Sequence, residues 1–123
     1  MPRPTRDELR EERARIARRW AACLKDAMTE AGVDPDQLVI STRELGATFD
    51  KTNISHWRAG RSPANIENVL YIARALDRDP VPMLRAAGHD SFADQIVDLV
   101  DEAIRGEQFL AQHNDKDDGR AAL

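Results

Sequence analysis

Between residues 5 and 32 the apolar side chains Leu9, Ile16, Trp20, Leu24 and Met28 recur at steps of seven and four. That spacing lines one stripe of an α-helix, whereas a half-buried strand needs strict alternation. Thr5-x-x-Glu8 forms a capping box in front of the stripe, and Gly32 is a natural left-handed terminator behind it. The stripe is narrow toward its N-terminus, so the helix is expected to extend beyond the core it serves. Arg10, Arg13, Arg15, Arg18 and Arg19 alternate with Asp7, Glu8, Glu11 and Glu12, the pattern of an exposed, salt-bridged surface.

The helical period returns in shorter pieces, with no strand-period segment and no internal repeat. Residues 33–40 open on Asp34-Pro35-Asp36, a turn or a short helical start. Ser41-x-x-Glu44 reads as a second capping box, opening a helix through Phe49 with Leu45 and Phe49 one turn apart. A third helix is predicted from Asp50 or Thr52 to Ala59, stopped by Gly60 and followed by the loop Gly60-Arg61-Ser62-Pro63. Asn65 caps a fourth, whose inward face is Ile66, Val69, Leu70, Ala73 and Leu76. Asp79-Pro80 starts a short fifth carrying Val81, Met83 and Leu84 and ending at Gly88. Ser91 caps a sixth, to about Gly106 or slightly beyond. Phe92, Ile96, Leu99, Val100 and Ile104 lie on one of its faces, and Asp94, Asp98, Asp101 and Glu102 lie opposite or beside them.

The expected architecture is therefore all-α: a five-helix domain over residues 5–88 with an extended first helix, then an additional C-terminal amphipathic helix over residues 89–110. A disordered lead (residues 1–4) and a flexible acidic tail (residues 111–123) complete it. With 123 residues, 41% of them apolar, the chain can build one core. Its single cysteine, Cys23, excludes an intrachain disulfide, and its apolar runs of about five residues are far short of the roughly 20 that span a membrane. A cytoplasmic protein is the expectation.

Charge is unevenly placed. Residues 1–85 carry 15 Lys and Arg against 13 Asp and Glu, while residues 86–123 carry 3 against 9. Between residues 51 and 62, Lys51, Arg58 and Arg61 stand with no acid among them. Screening confines the relevant field to about 10 Å, so an acidic chain can still meet a polyanion locally. Catalysis is not expected: there is no Gly-rich phosphate loop, no metal-spaced Cys/His set and no nucleophile–base pairing. His89 and His113 read as surface residues, and Asp117 and Asp118 sit in a tail that cannot preorganise them. No cofactor and no small-molecule substrate is expected.

The segment Ile54-Ser55-His56-Trp57-Arg58-Ala59-Gly60-Arg61-Ser62-Pro63 resembles the I-S-x-W-x-x-G-x-x-P segment of the XRE family, the Cro and phage-repressor type of helix-turn-helix regulator. Ile72-Ala73-Arg74-Ala75-Leu76-Asp77 followed by Pro80 and Leu84 is similar to that family's I-A-x-A-L-x stretch and closing helix. Residues 24–32 resemble the end of its first helix, and the likeness covers residues 20–88. On this resemblance Leu45, Gly46 and Phe49 take the family's positions in helix two, and Asp50 takes the glycine of the turn. Residues 33–40 stand as an insertion, and Arg58 replaces an acid. The resemblance implies double-stranded DNA as partner, with helix two over the backbone and helix three in the major groove.

Helical geometry gives the same face independently. If Ile54 and Trp57 point inward, 100° per residue turns Thr52, Ser55, His56 and Ala59 outward, with Asn53 flanking them. Ser, Thr, Asn and His can hydrogen-bond base edges. Lys51, Arg58 and Arg61 are assigned to phosphate, although Arg58 has a competing pairing with an acid such as Asp34 or Glu44. Ser41 and Thr42, at the expected N-terminus of helix two, either present backbone N–H groups to phosphate or serve only as a cap.

A single such module reads few base pairs, and dimerisation ties two half-sites together. Phe92, Ile96, Leu99, Val100 and Ile104 form the candidate homodimer interface; the competing expectation is that this helix folds back on its own domain. The leading function is a sequence-specific transcriptional regulator, probing DNA as a repressor does. The alternative is an antitoxin-like or scaffold module that keeps the fold without binding DNA.

Overall fold

The computed structural model describes residues 2–121 and contains six α-helices: α1 (Arg6–Ala31), α2 (Pro35–Glu44), α3 (Lys51–Arg58), α4 (Ile66–Ala75), α5 (Pro80–Ala86) and α6 (Asp90–Ala121). Among the described residues there is no strand, and no helix is long and apolar enough to cross a membrane. Of the predicted lead, residues 2–4 are exposed and outside any helix. Residue 1 of that lead and the last two residues of the tail lie outside the described residues. The chain divides into two compact units after Ala93, four residues into α6.

In the first unit α1 packs on α3 and α5, α2 on α3 and α4, and α4 on α5. The capping box Thr5/Glu8 starts α1, and Gly32, left-handed at φ 67°, ends it. Burial follows the predicted stripe from its middle onward: Trp20, Leu24 and Met28 are buried, Ile16 is half-buried and Leu9 is 48% exposed. The centre is aromatic. Trp57 stands edge-on to Trp20 at 6.4 Å and to Phe49 at 5.0 Å, the arrangement that ring quadrupoles favour. Leu38, Ile54, Val69, Ile72, Met83 and Leu84 close the core around them. Asn65 caps α4 and Asp79 caps α5 with Pro80 in its first turn, as expected.

Polar contacts lock the periphery. The Arg19 guanidinium donates from Nη2 to the Arg85 carbonyl at 2.7 Å and from Nε to the Ala86 carbonyl at 3.3 Å, holding the C-terminus of α5 against α1. Glu30 pairs with Arg78. The His89 Nε2 lies 2.8 Å from the Ala64 carbonyl oxygen and so ties the loop before α4 to the end of α5.

Helix two corrects the expected boundary. It begins at Pro35, capped by Asp34, whose carboxylate accepts from the Gln37 N–H while the Gln37 amide oxygen accepts from the Asp34 N–H. Asp34-Pro35-x-Gln37 is itself a capping box, and it lies ahead of Ser41-x-x-Glu44 in the chain. Starting there places Leu38 and Thr42, one turn apart, on the buried face. Ser41 and Thr42 consequently fall in the last turn of α2 rather than the first. Residues 45–50 are the connection to α3, not helix, so Leu45 and Phe49 do not form the expected turn-spaced pair. Asp50 is extended at φ −121° and caps α3; it does not take a left-handed glycine's place.

Helix α6 continues through Gly106 and past the predicted end, since one interior glycine costs only about 1 kcal/mol. The helix starts at Asp90, which puts Ser91 inside its first turn instead of capping it. Leu99, Val100 and Ile104 are exposed, and Phe92 and Ile96 are half-buried.

Candidate nucleic-acid interface

Helix α3 has two walls of opposite character. Ile54 and Trp57 are buried, which fixes the rotation of the helix about its axis. Thr52, Asn53, Ser55, His56 and Ala59 are then exposed together, as the geometry predicts. Asn53 also helps to cap the helix. Its Oδ1 accepts from the Asp50 N–H at 3.0 Å, and its own N–H donates to Asp50 Oδ1 at 3.2 Å. This reciprocal cap leaves the Asn53 amide nitrogen uncommitted.

The C-terminal end of α3 is shaped by Gly60, left-handed at φ 74°. The Gly60 N–H donates to the Trp57 carbonyl and the Arg61 N–H to the His56 carbonyl, both at 3.1 Å, the double closure of a Schellman motif. A Cβ on Gly60 would lie 3.6 Å from Arg18 Cγ, so the backbone also runs close to α1 here. The motif turns the chain sharply and leaves Arg61 exposed beyond the helix.

The cations expected along this helix occupy three different settings. Lys51 is exposed at the first turn, with its Nζ 3.2 Å from Asp36 Oδ1 of α2. Arg61 is exposed. Arg58 is half-buried, its Nε is shielded from solvent without a hydrogen-bond partner, and neither Asp34 nor Glu44 pairs with it. The expected alternative of an acid partner for Arg58 is therefore corrected: Asp34 lines a depression together with Arg58, but its carboxylate caps α2 and makes no ion pair with the guanidinium.

Thr42 cannot serve as a surface contact. It is fully buried, and its hydroxyl donates to the Leu38 carbonyl at 2.7 Å. Ser41 is half-buried beside it, at the carbonyl end of α2, where no free N–H groups are presented. The start of α2 instead carries Asp34 and Asp36.

A cleft of about 410 Å³ opens between α1 and α3, lined by Lys25, Pro35, Lys51, Ile54, Ser55, Arg58 and Ala59. Two adjoining depressions share Lys25 and Arg58 with it. Sequence reasoning missed Lys25. It is one charged residue among many on α1, and only the packing of α1 on α3 brings it beside Arg58. Among the described residues no cluster of His, Cys, Asp and Glu is arranged to hold a metal ion.

Comparison with protein-family models, with curated proteins and with solved structures finds no match to this chain.

Proposed function

We propose that this protein is a sequence-specific DNA-binding regulator that inserts α3 into the major groove and works as a homodimer. The observation that carries the reading is the two-walled character of α3. Ile54 and Trp57 lock one wall into the core, while Thr52, Asn53, Ser55 and His56 form a neutral, hydrogen-bonding wall open to solvent. Lys51 and Arg61 bracket that wall and supply charge for phosphates. The resemblance of residues 54–63 to the XRE family supports the same orientation, with α2, the connection over residues 45–50 and α3 as a helix-turn-helix whose turn is long. Ser41 and Thr42 have no part in it. Phosphate contact passes to the cations beside α3, because the α2 N-terminus bears two carboxylates.

Homodimerisation is assigned to α6. Leu99 is 64% exposed and Val100 51%, on the same helix face as Ile104 and Ile96. Burying a side chain of this kind contributes about 1.5–3 kcal/mol before ordering costs, so a second copy of the face is a sufficient partner.

Selection of bound fragments from random DNA, followed by mobility shifts on variants of the selected site, tests the function. Ser55→Ala with His56→Ala should relax base preference, each lost contact being worth about 1–3 kcal/mol of discrimination. Lys51→Ala or Arg61→Ala should weaken binding to all sequences alike and lower the salt slope by about one. Unchanged base preference in the double variant would reject the outward wall, and no selected sequence at all would reject DNA binding in favour of a protein-interaction module.

A further inference from the structure

We propose that the cleft between α1 and α3 is a seat for a phosphate-type oxyanion, gripped by Arg58 and Lys25. The observation behind it is an unpartnered cation: Arg58 borders the cleft, is half-buried, and among the described residues makes no hydrogen bond or ion pair. A guanidinium stays charged at any ordinary pH, and a half-buried one that no protein acceptor meets is left to pair with an incoming anion. Protein carboxylates do not fill the role. Asp26 and Asp34 border the adjoining depressions, yet among the described residues neither forms an ion pair with Arg58 or Lys25.

Lys25 and Arg58 border all three depressions that meet here, and Lys51 and Ser55 border the main one. A planar guanidinium fork beside ammonium point charges is the combination that receives phosphate oxygens. The oxygens of a phosphate group are set tetrahedrally, so one group can meet donors that do not share a plane, which a planar carboxylate cannot do as fully. The phosphate has two possible sources: the backbone of a nucleic acid lying along α3, or a free phosphorylated small molecule. The first source rests on the DNA-binding reading above; the second does not.

The test follows the Arg58 Nε–H resonance of the isotope-labelled full-length chain during titration with pyrophosphate and, separately, with a mixed-sequence DNA duplex. Ionic strength is held constant, and sodium chloride serves as the control. A saturable shift in at least one arm is expected, and Lys25→Ala should weaken it by about three- to tenfold, as removal of one charge-assisted contact does. Lys25 is exposed, so its replacement by alanine in a helix leaves the fold intact. A shift with duplex alone makes the backbone the source. A shift with pyrophosphate and no duplex binding keeps the seat and removes the DNA reading. Duplex binding in a mobility shift with the Arg58 resonance unmoved does the reverse, overturning the seat alone. The seat is also overturned if neither probe moves the resonance, if chloride moves it equally, or if Lys25→Ala leaves the affinity unchanged.

Discussion

Thr42 spends its hydroxyl inside the molecule, on the carbonyl of Leu38 one turn earlier, with no solvent in reach. That acceptor also belongs to the helix, so Thr42→Val should change stability by no more than about 1 kcal/mol in urea unfolding. The same variant should bind DNA as the parent does; a folded Thr42→Val protein with impaired binding would put this residue back on the surface. Cys23 is half-buried, and burial pushes its thiol up, Arg78 opposing and Asp26 adding to the effect. The native chain thus holds this proton more tightly than the unfolded chain. The stability that this proton linkage contributes is fully present below the unfolded thiol's pKa and falls away as pH rises through the folded one. Alkylation of Cys23 at mildly alkaline pH should be slower in the native chain than in denaturant. Equal rates would contradict the shift.

At the scale of an element, a helix end does more than stop a helix. Gly88, left-handed at φ 87°, closes α5, and a Cβ placed on it would lie 3.0 Å from Ile16 Cγ2 of α1. Gly88→Ala therefore meets both an unfavourable backbone conformation and a packed neighbour. It should cost more than about 1 kcal/mol, seen as a Tm drop of about 5 °C or more for a domain of this size. A neutral result would mean that the α5 terminus can shift off α1, against the anchoring of Arg85 and Ala86 carbonyls by Arg19. Gly60 plays the corresponding part for α3, and there the same local chemistry also sets where Arg61 stands.

For the whole molecule, the proposed function ties two kinds of association to opposite electrostatics. Duplex binding releases counterions from phosphates and weakens steeply with salt. Pairing two α6 helices sets two segments of like net charge side by side, even with Asp94, Asp98, Asp101 and Glu102 turned away from the apolar face, and screening eases that repulsion. Raising the salt concentration should then strengthen self-association in sedimentation equilibrium while it loosens DNA. Leu99→Glu with Ile104→Glu should abolish self-association and leave the first unit's Tm within about 2 °C, since surface substitutions usually stay within ±0.5 kcal/mol. A monomeric parent protein, or a double variant that still self-associates, would remove α6 as the interface.

The helices, most of their ends and the outward wall of α3 are legible in the amino-acid order, because caps and the 3.6-residue period are decided by neighbours within one or two turns. The start of α2 is misread from sequence for the same reason: Asp34-x-x-Gln37 and Ser41-x-x-Glu44 are both sound local caps, and only the burial of Leu38 and Thr42 against other helices selects the first. The cleft is invisible there. Lys25 and Arg58 stand far apart in the chain, and their convergence depends on how α1 packs across α3, a non-local contact that neither residue's neighbours encode.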